Sequence, residues 1–174
     1  MDQVSGRGVD GLIPELPVDP LNINAHCAHP NNPTGQAAWF YVDLGSVHQV
    51  FNVTLYNTAD RVGSLRMLRF SIRVGNTSKL SEHTECSYHQ GRVAQRGHVT
   101  LDCKTVGRYV SFRRTAGDQL RYVTICEFVV IGYPLSGEGD AAKSLVTMAT
   151  FFGKSPHRNP RGVMSFAAPL AANI

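Results

Sequence analysis

No run of apolar residues in this 174-residue chain approaches the ~18 that a membrane-spanning helix needs, so no transmembrane segment is expected. Contiguous basic runs are missing too. The 17 lysines and arginines against 13 acids leave a formal charge of +4, and the arginines are spread along the chain, which argues against nucleic acid as a partner. The four cysteines, Cys27, Cys86, Cys103 and Cys126, form no CxxC, so the main signature of zinc ribbons and thioredoxin-like sites is absent. There is no GxSxG, HExxH, Walker loop or dinucleotide fingerprint. Asp43, Asp60, Asp102, Asp118 and Glu127 stand singly, with no motif pairing two of them for glycoside hydrolysis. The expectation is a protein that binds and does not catalyse. The N-terminus, MDQVSGRGVDG, has no apolar core and is no signal peptide.

What is present is an ordinary globular balance, 43% hydrophobic and 17% charged, in a length that suits one domain with a sizeable core. Strand-like runs fill the middle of the chain: WFYVDL (39–44), QVFNVTLYN (49–57), RFSIRVGN (69–76), HVTLDC (98–103), RYVSFRR (108–114) and YVTICEFVVIGY (122–133). Phe70, Ile72 and Val74 fall on one face, with Ser71 and Arg73 on the other, and Val53 and Leu55 alternate likewise with Asn52, Thr54 and Tyr56. Gly45-Ser46, Gly75-Asn76, Gly107 and Ala116-Gly117-Asp118 read as turns between them. No amphipathic helix fits between 39 and 133. Short strands joined by glycine-containing turns predict an all-β, antiparallel β-sandwich or jelly roll. Residues 1–38 read as irregular loops, and 135–174 as a flexible tail outside a domain spanning 1–134, with one short helix over AAKSLVTMATFF (141–152).

The HCAHP stretch (26–30) resembles half a zinc site, but no second half follows. His83, His89 and His98 flank Cys86 at spacings that fit no zinc pattern, and they read as solvated. Four cysteines allow three pairings, which the residues alone leave open. Asn52-Val53-Thr54 and Asn76-Thr77-Ser78 are glycan acceptors if the chain is secreted, whereas Asn32-Pro33-Thr34 is blocked by its proline.

The order VDG (9–11), CAHP (27–30), WFYVDLGSVHQV (39–50), RFSIRVGN (69–76), the cysteines at 86 and 103, GRYVSFRR (107–114) and YVTICEFVVIGY (122–133) resembles the F-type lectins. These are the fucolectin, tachylectin and pentraxin-related domains, distant relatives of discoidin and coagulation-factor C domains. The resemblance covers roughly residues 9 to 133 and implies a galactose-binding-domain-like jelly roll. It places a further strand ahead of the VDG loop, so this chain is expected to lack its first strand and, with it, a signal peptide. A secreted or extracellular setting follows from the same likeness. So do disulfides Cys27–Cys126 and Cys86–Cys103, the second closing a hairpin.

The family holds a structural calcium, and hard cations take oxygen ligands. By position the resemblance assigns it Asp10, Glu127 and the carbonyls of Arg7, Leu12, His26 and Cys126, with Asp19 as a substitute for Asp10. It also implies a fucose site built from His29 of the CAH loop and from the later loop NTADRVGSLR (57–66). There Asp60 matches the family's aspartate, Thr58 stands where the first arginine would be, and Arg61 or Arg66 supplies the cation. The adjacent cysteines of that loop are replaced by Arg61-Val62. The expected function is carbohydrate binding, fucosylated or other glycans being the partner, with oligomerisation open. The alternative is an adhesion or protein-interaction domain on the same scaffold.

Overall fold

The computed structural model describes residues 27–29, 37–115 and 122–135, with the backbone of 146–148. Its elements are β1 (Trp39–Tyr56), the single-turn helix α1 (Arg61–Ser64), β2 (Leu68–Gly75), a 3₁₀ turn (Leu80–Glu82), β3 (Thr84–Arg92), β4 (His98–Arg114), β5 (Glu127–Pro134) and β6 (Val146–Met148). The strands pair antiparallel in the order β3-β2-β4-β1-β5-β6. The fold is the expected all-β sandwich.

Two long strands make the sandwich out of one continuous ladder. The first part of β1 pairs with the last part of β4, which also pairs with β2; the second part of β1 lies between β4 and β5. Between the two parts the register of β1 and β4 shifts at Asp43/His48, and again at Val50/Asn52. The second shift changes which parity faces inward: Phe40, Val42 and Val50 are buried before it, Val53 and Leu55 after it. The two parts face each other. Phe40, at the start of β1, packs its ring 5.7 Å from Phe128, which pairs with Leu55 near the other end of the strand. Phe40, Phe70, Phe112, Ile72, Leu55, Ile125 and Phe128 fill the interior.

The structure corrects several local readings. Gly45-Ser46 is no reversal. Gly45 adopts φ +80, its N–H is accepted by Asp43 Oδ1 at 2.9 Å, and β1 bends and continues, because a left-handed glycine lets a strand kink without turning back. Gly107 likewise sits inside β4. A Cβ there would meet the Gly75 carbonyl oxygen at 2.9 Å, so its role is the close approach of β2's end. Residues 84–92 form an edge strand with an exposed, polar pattern that shows no apolar alternation. Cys86 and Cys103 are bonded, as are Cys27 and Cys126, and the described residues hold no free cysteine. The shorter bridge closes no hairpin, however: among the described residues β3 pairs with β2 and not with β4, so the bond ties strands that are not ladder neighbours. Residues 146–148 are not helical but extend the sheet beside β5. The remainder of 136–174, the expected first strand and the 116–118 turn lie outside the described residues.

His83 is not solvated. It is 2% exposed, with Nδ1 2.8 Å from Ser111 Oγ and Nε2 2.8 Å from the Thr77 carbonyl. His89 packs 5.1 Å from Phe70, and burial pulls its pKa below the ordinary imidazole value, whereas His98 is exposed as expected. On the outer face Arg108 forks onto Asp43 at 2.6 and 2.9 Å beside Tyr109.

Candidate functional site

The loop that leaves β1 is fixed by a buried asparagine. Asn57 Nδ2 donates to the carbonyls of Ser64 and Val93 at 3.0 and 2.9 Å, and its Oδ1 accepts from Thr58 N–H at 2.9 Å. Backbone bonds from Asn57 to Gly97 and from Arg96 to Thr58 pin the same loop to the 93–97 turn. Within it Asp60 is the N-cap of α1, its Oδ2 accepting from Gly63 N–H, while Thr58 Oγ1 accepts from Asp60 N–H at 3.0 Å.

A second segment meets this loop. Cys27 and Cys126 are bonded, and next to them Ala28 and Ile125 exchange backbone hydrogen bonds of 2.7 and 2.9 Å. This anchors His29, whose Nδ1 lies 3.0 Å from Thr124 Oγ1. The Thr124 hydroxyl also crowds Gly63: a Cβ at Gly63 would meet Asp60 Oδ2 at 2.8 Å, Thr58 Cγ2 at 3.1 Å and Thr124 Oγ1 at 3.3 Å. Thr58, Asp60 and Thr124 therefore converge round one small residue, and His29 joins them through Thr124.

The arginines divide. Arg61 is exposed at the start of α1 and its carbonyl accepts from Ser64 Oγ at 2.9 Å. Arg66 folds back, its guanidinium 5.3 Å from the ring centroid of Tyr122, which precedes Thr124 by two residues. Thr58, where the resemblance would put a first arginine, is fully buried and offers a hydroxyl in place of a fork. Val62 and Leu65 stand out from α1, 59% and 47% exposed.

A sequence model of the NedA-like, galactose-binding domain family matches residues 18–112, more than half of the chain. The chain belongs to this family. No curated protein matches it. Among solved structures, the galactose-binding domain is similar to an F-lectin (fucolectin) from striped bass (Morone saxatilis) serum, with 22% identity and a TM-score of 0.62 over 75% of this chain and 42% of that one. The present chain thus spans less than half of that lectin. It is also similar to the lectin domain of lectinolysin complexed with Lewis B antigen (21% identity, TM-score 0.55, 73% of this chain and 82% of that one). A Streptococcus pneumoniae fucose binding module matches at 21% identity and a TM-score of 0.51, over 72% and 80% of the two chains. At these identities the likeness is one of fold.

Of the expected calcium ligands, Asp10, Leu12 and His26 lie outside the described residues, as do Arg7 and Asp19. Cys126, in the disulfide, immediately precedes β5, and Glu127, which opens that strand, is 1% exposed, so it is no surface carboxylate. A carboxylate taken this far from water suits a hard cation, which wants charged oxygen donors. Among the described residues no three His, Cys, Asp or Glu side chains gather into a metal-binding group, so any further ligands would come from carbonyls or from residues outside that set. In the galactose-binding domain the residues that sequence reading passed over are Asn57, Tyr122, Thr124 and Arg114. Asn57, Tyr122 and Thr124 act through partners distant along the chain, namely Val93, Arg66 and His29, whereas Arg114 donates to the nearby Tyr122 carbonyl.

Proposed function

We propose that this domain binds carbohydrate without transforming it, at the end of the sandwich where His29, the 57–66 loop and the 122–124 segment meet. The observation that carries the reading is the convergence of Asp60 and Thr124 round Gly63, with His29 bonded to Thr124 and Arg66 on the ring of Tyr122. Fixed polar groups, acceptors as well as donors, with an aromatic ring and exposed apolar side chains nearby, are what a pyranose needs. Lewis B antigen, bound to one of the similar domains, and fucose, which another is named for binding, support a glycan partner. Fucose itself is the finer part of the proposal. With Thr58 in the place of an arginine, a fork of donors is lost, and binding should be weaker or differently selective than in a full fucose site.

Calcium belongs to the same proposal, with Glu127 and the Cys126 carbonyl as the ligands within reach. So does a secreted setting, supported by the two disulfides and by Asn76, whose sequon lies in an exposed bend. The adhesion reading keeps one observation in its favour: Val62 and Leu65 are exposed at the loop tip beside Arg61. Screening the oxidised chain on a glycan array, with and without chelator, tests these readings together. Retention on defined glycans that free sugar competes away supports the lectin, and cell binding that sugar leaves untouched but Val62→Ser/Leu65→Ser abolishes supports adhesion. Chelation should lower Tm by on the order of 5–10 °C if calcium sits at a hundred times its Kd, and no shift would remove the calcium claim.

A further inference from the structure

β2 ends at Gly75, and the chain turns back toward β3 through a bend at 76–78 and the 3₁₀ turn. The middle residue of the bend ties it down. Thr77 Oγ1 donates to Glu82 Oε2 at 2.6 Å and accepts from Lys79 N–H at 3.3 Å, while the Thr77 carbonyl lies 2.8 Å from Nε2 of the buried His83. Asn76 and Ser78, on either side of it, are exposed, and neither side chain makes a hydrogen bond among the described residues. The amide and the hydroxyl of the Asn76-Thr77-Ser78 sequon are therefore both open to solvent, on a bend that its neighbours already hold in shape.

The other sequon has the same residue types without the access. Asn52 lies in the part of β1 that is paired on both sides, opposite Asp102 of β4 and Ile131 of β5. Its amide oxygen is buried. Thr54, which supplies that sequon's hydroxyl, is 8% exposed and shares a hydrogen bond of 2.8 Å with Thr100 Oγ1. A glycan on Asn52 would have to displace the packing that covers the amide, at the centre of the sheet, whereas one on Asn76 extends into solvent. The Asn76 position also stands clear of the candidate site. The 57–66 loop precedes β2 and Asn76 follows it, and a strand of eight residues sets its two ends roughly 25 Å apart.

We propose that Asn76 is a site of N-linked glycosylation and that Asn52 is not. In the transfer, Asn76 Nδ2 attacks the anomeric carbon of an oligosaccharide carried on a lipid pyrophosphate. The carbon–nitrogen bond forms, the bond from that carbon to the phosphate oxygen breaks, the lipid pyrophosphate leaves with the electron pair, and the amide gives up one proton. The proposal rests on the secreted setting given above and is independent of the sugar-binding reading. Expression of the full chain behind a cleavable leader in a eukaryotic cell line tests it, with peptide N-glycosidase digestion in heavy-oxygen water and mass spectrometry as the readout. The secreted chain should carry one glycan. Its release turns the asparagine into aspartate and should leave the heavy label on residue 76 and none on residue 52. Asn76→Gln should abolish the glycan. So should Ser78→Ala, which keeps the amide but removes the hydroxyl that defines the acceptor. Both positions are exposed, so near-UV circular dichroism of the two variants should match that of the unsubstituted chain. A label on residue 52, or a glycan that persists in Ser78→Ala, would overturn the assignment. A secreted, fully oxidised chain without a glycan sinks this proposal alone, whereas a chain held in the cell with free thiols sinks the secreted setting with it.

Discussion

Replacing Cys27 and Cys126 by alanine should cost more stability than replacing Cys86 and Cys103, by an amount that the chain lengths set. The first bond closes a separation of 99 residues and the second one of 17. In the chain-entropy model a loop of about a hundred residues contributes ~4.7 kcal/mol and one of about fifteen ~3 kcal/mol. The difference, 1.5RT times the logarithm of the ratio of the two loops, is about 1.6 kcal/mol. Packing pushes the same way. Cys27 and Cys126 are both fully buried, whereas only Cys103 of the other pair is, so the long-range variant also loses more interior contact. The Ala28–Ile125 bridge and the His29–Thr124 hydrogen bond hang on the same anchor and should fray with it. Guanidinium unfolding under non-reducing conditions, followed by the fluorescence of Trp39, the sole tryptophan, gives both free energies. A shorter-loop variant that loses as much as the longer-loop one, or more, would refute the reasoning. Glycan binding should fail first in the Cys27/Cys126 variant, at denaturant concentrations where the core is still intact.

Two further perturbations are directional. Burial alone would raise the Asp43 carboxyl, but the fork of Arg108 and the Gly45 N–H outweigh it and hold its pKa below the ordinary value. A folded pKa below the unfolded one means that the contribution is fully present above the unfolded value near pH ~4, and is lost as pH falls through the folded value. Asp43→Asn should therefore lower stability at neutral pH by about 1 kcal/mol, since solvent screens the half-exposed Arg108, and the gap in Tm should close toward about pH 2. A gap that stays constant across that range would show that the ion pair is not its source. At the site, Asp60→Ala removes the cap of α1 and should cost about 1 kcal/mol in urea unfolding, while Asp60→Asn, which still accepts from Gly63 N–H, should cost a few tenths. Equal losses in the two would mean that the cap does not position the loop.

What could be read from the chain followed physical range. Alternation along 69–76 needs only local sequence, and Phe70, Ile72 and Val74 are all buried as their spacing demands. The bend at Gly45 was visible as a glycine but not as a continuation, because a positive φ serves a kink and a reversal equally and only the partner strand distinguishes them, whereas Gly107 answers to the close approach of Gly75 from β2, which local sequence does not show. β3 was hidden because an edge strand paired on one side buries little. Its polar residues carry no alternating signal, and what defines it is the ladder to β2.

The candidate site divides the same way. His29 and Asp60 were found because a resemblance carries residue types in order, but it carries roles less well: Asp60 spends an oxygen on capping α1, and Thr58 is sealed from solvent. Arg114 had no signal at all. It is one of two adjacent arginines at the end of β4, and which of them turns inward depends on a register with Trp39–Asp43 and Phe70–Gly75 that reverses parity near Gly107. A shift of one residue would expose Arg114 and bury Arg113, and would move the buried charge away from Tyr122 and Arg66. The register shift between Asp43 and His48, where four residues of β1 lie opposite one of β4, therefore does more than shape the sandwich: it helps to set which cation stands behind the 57–66 loop.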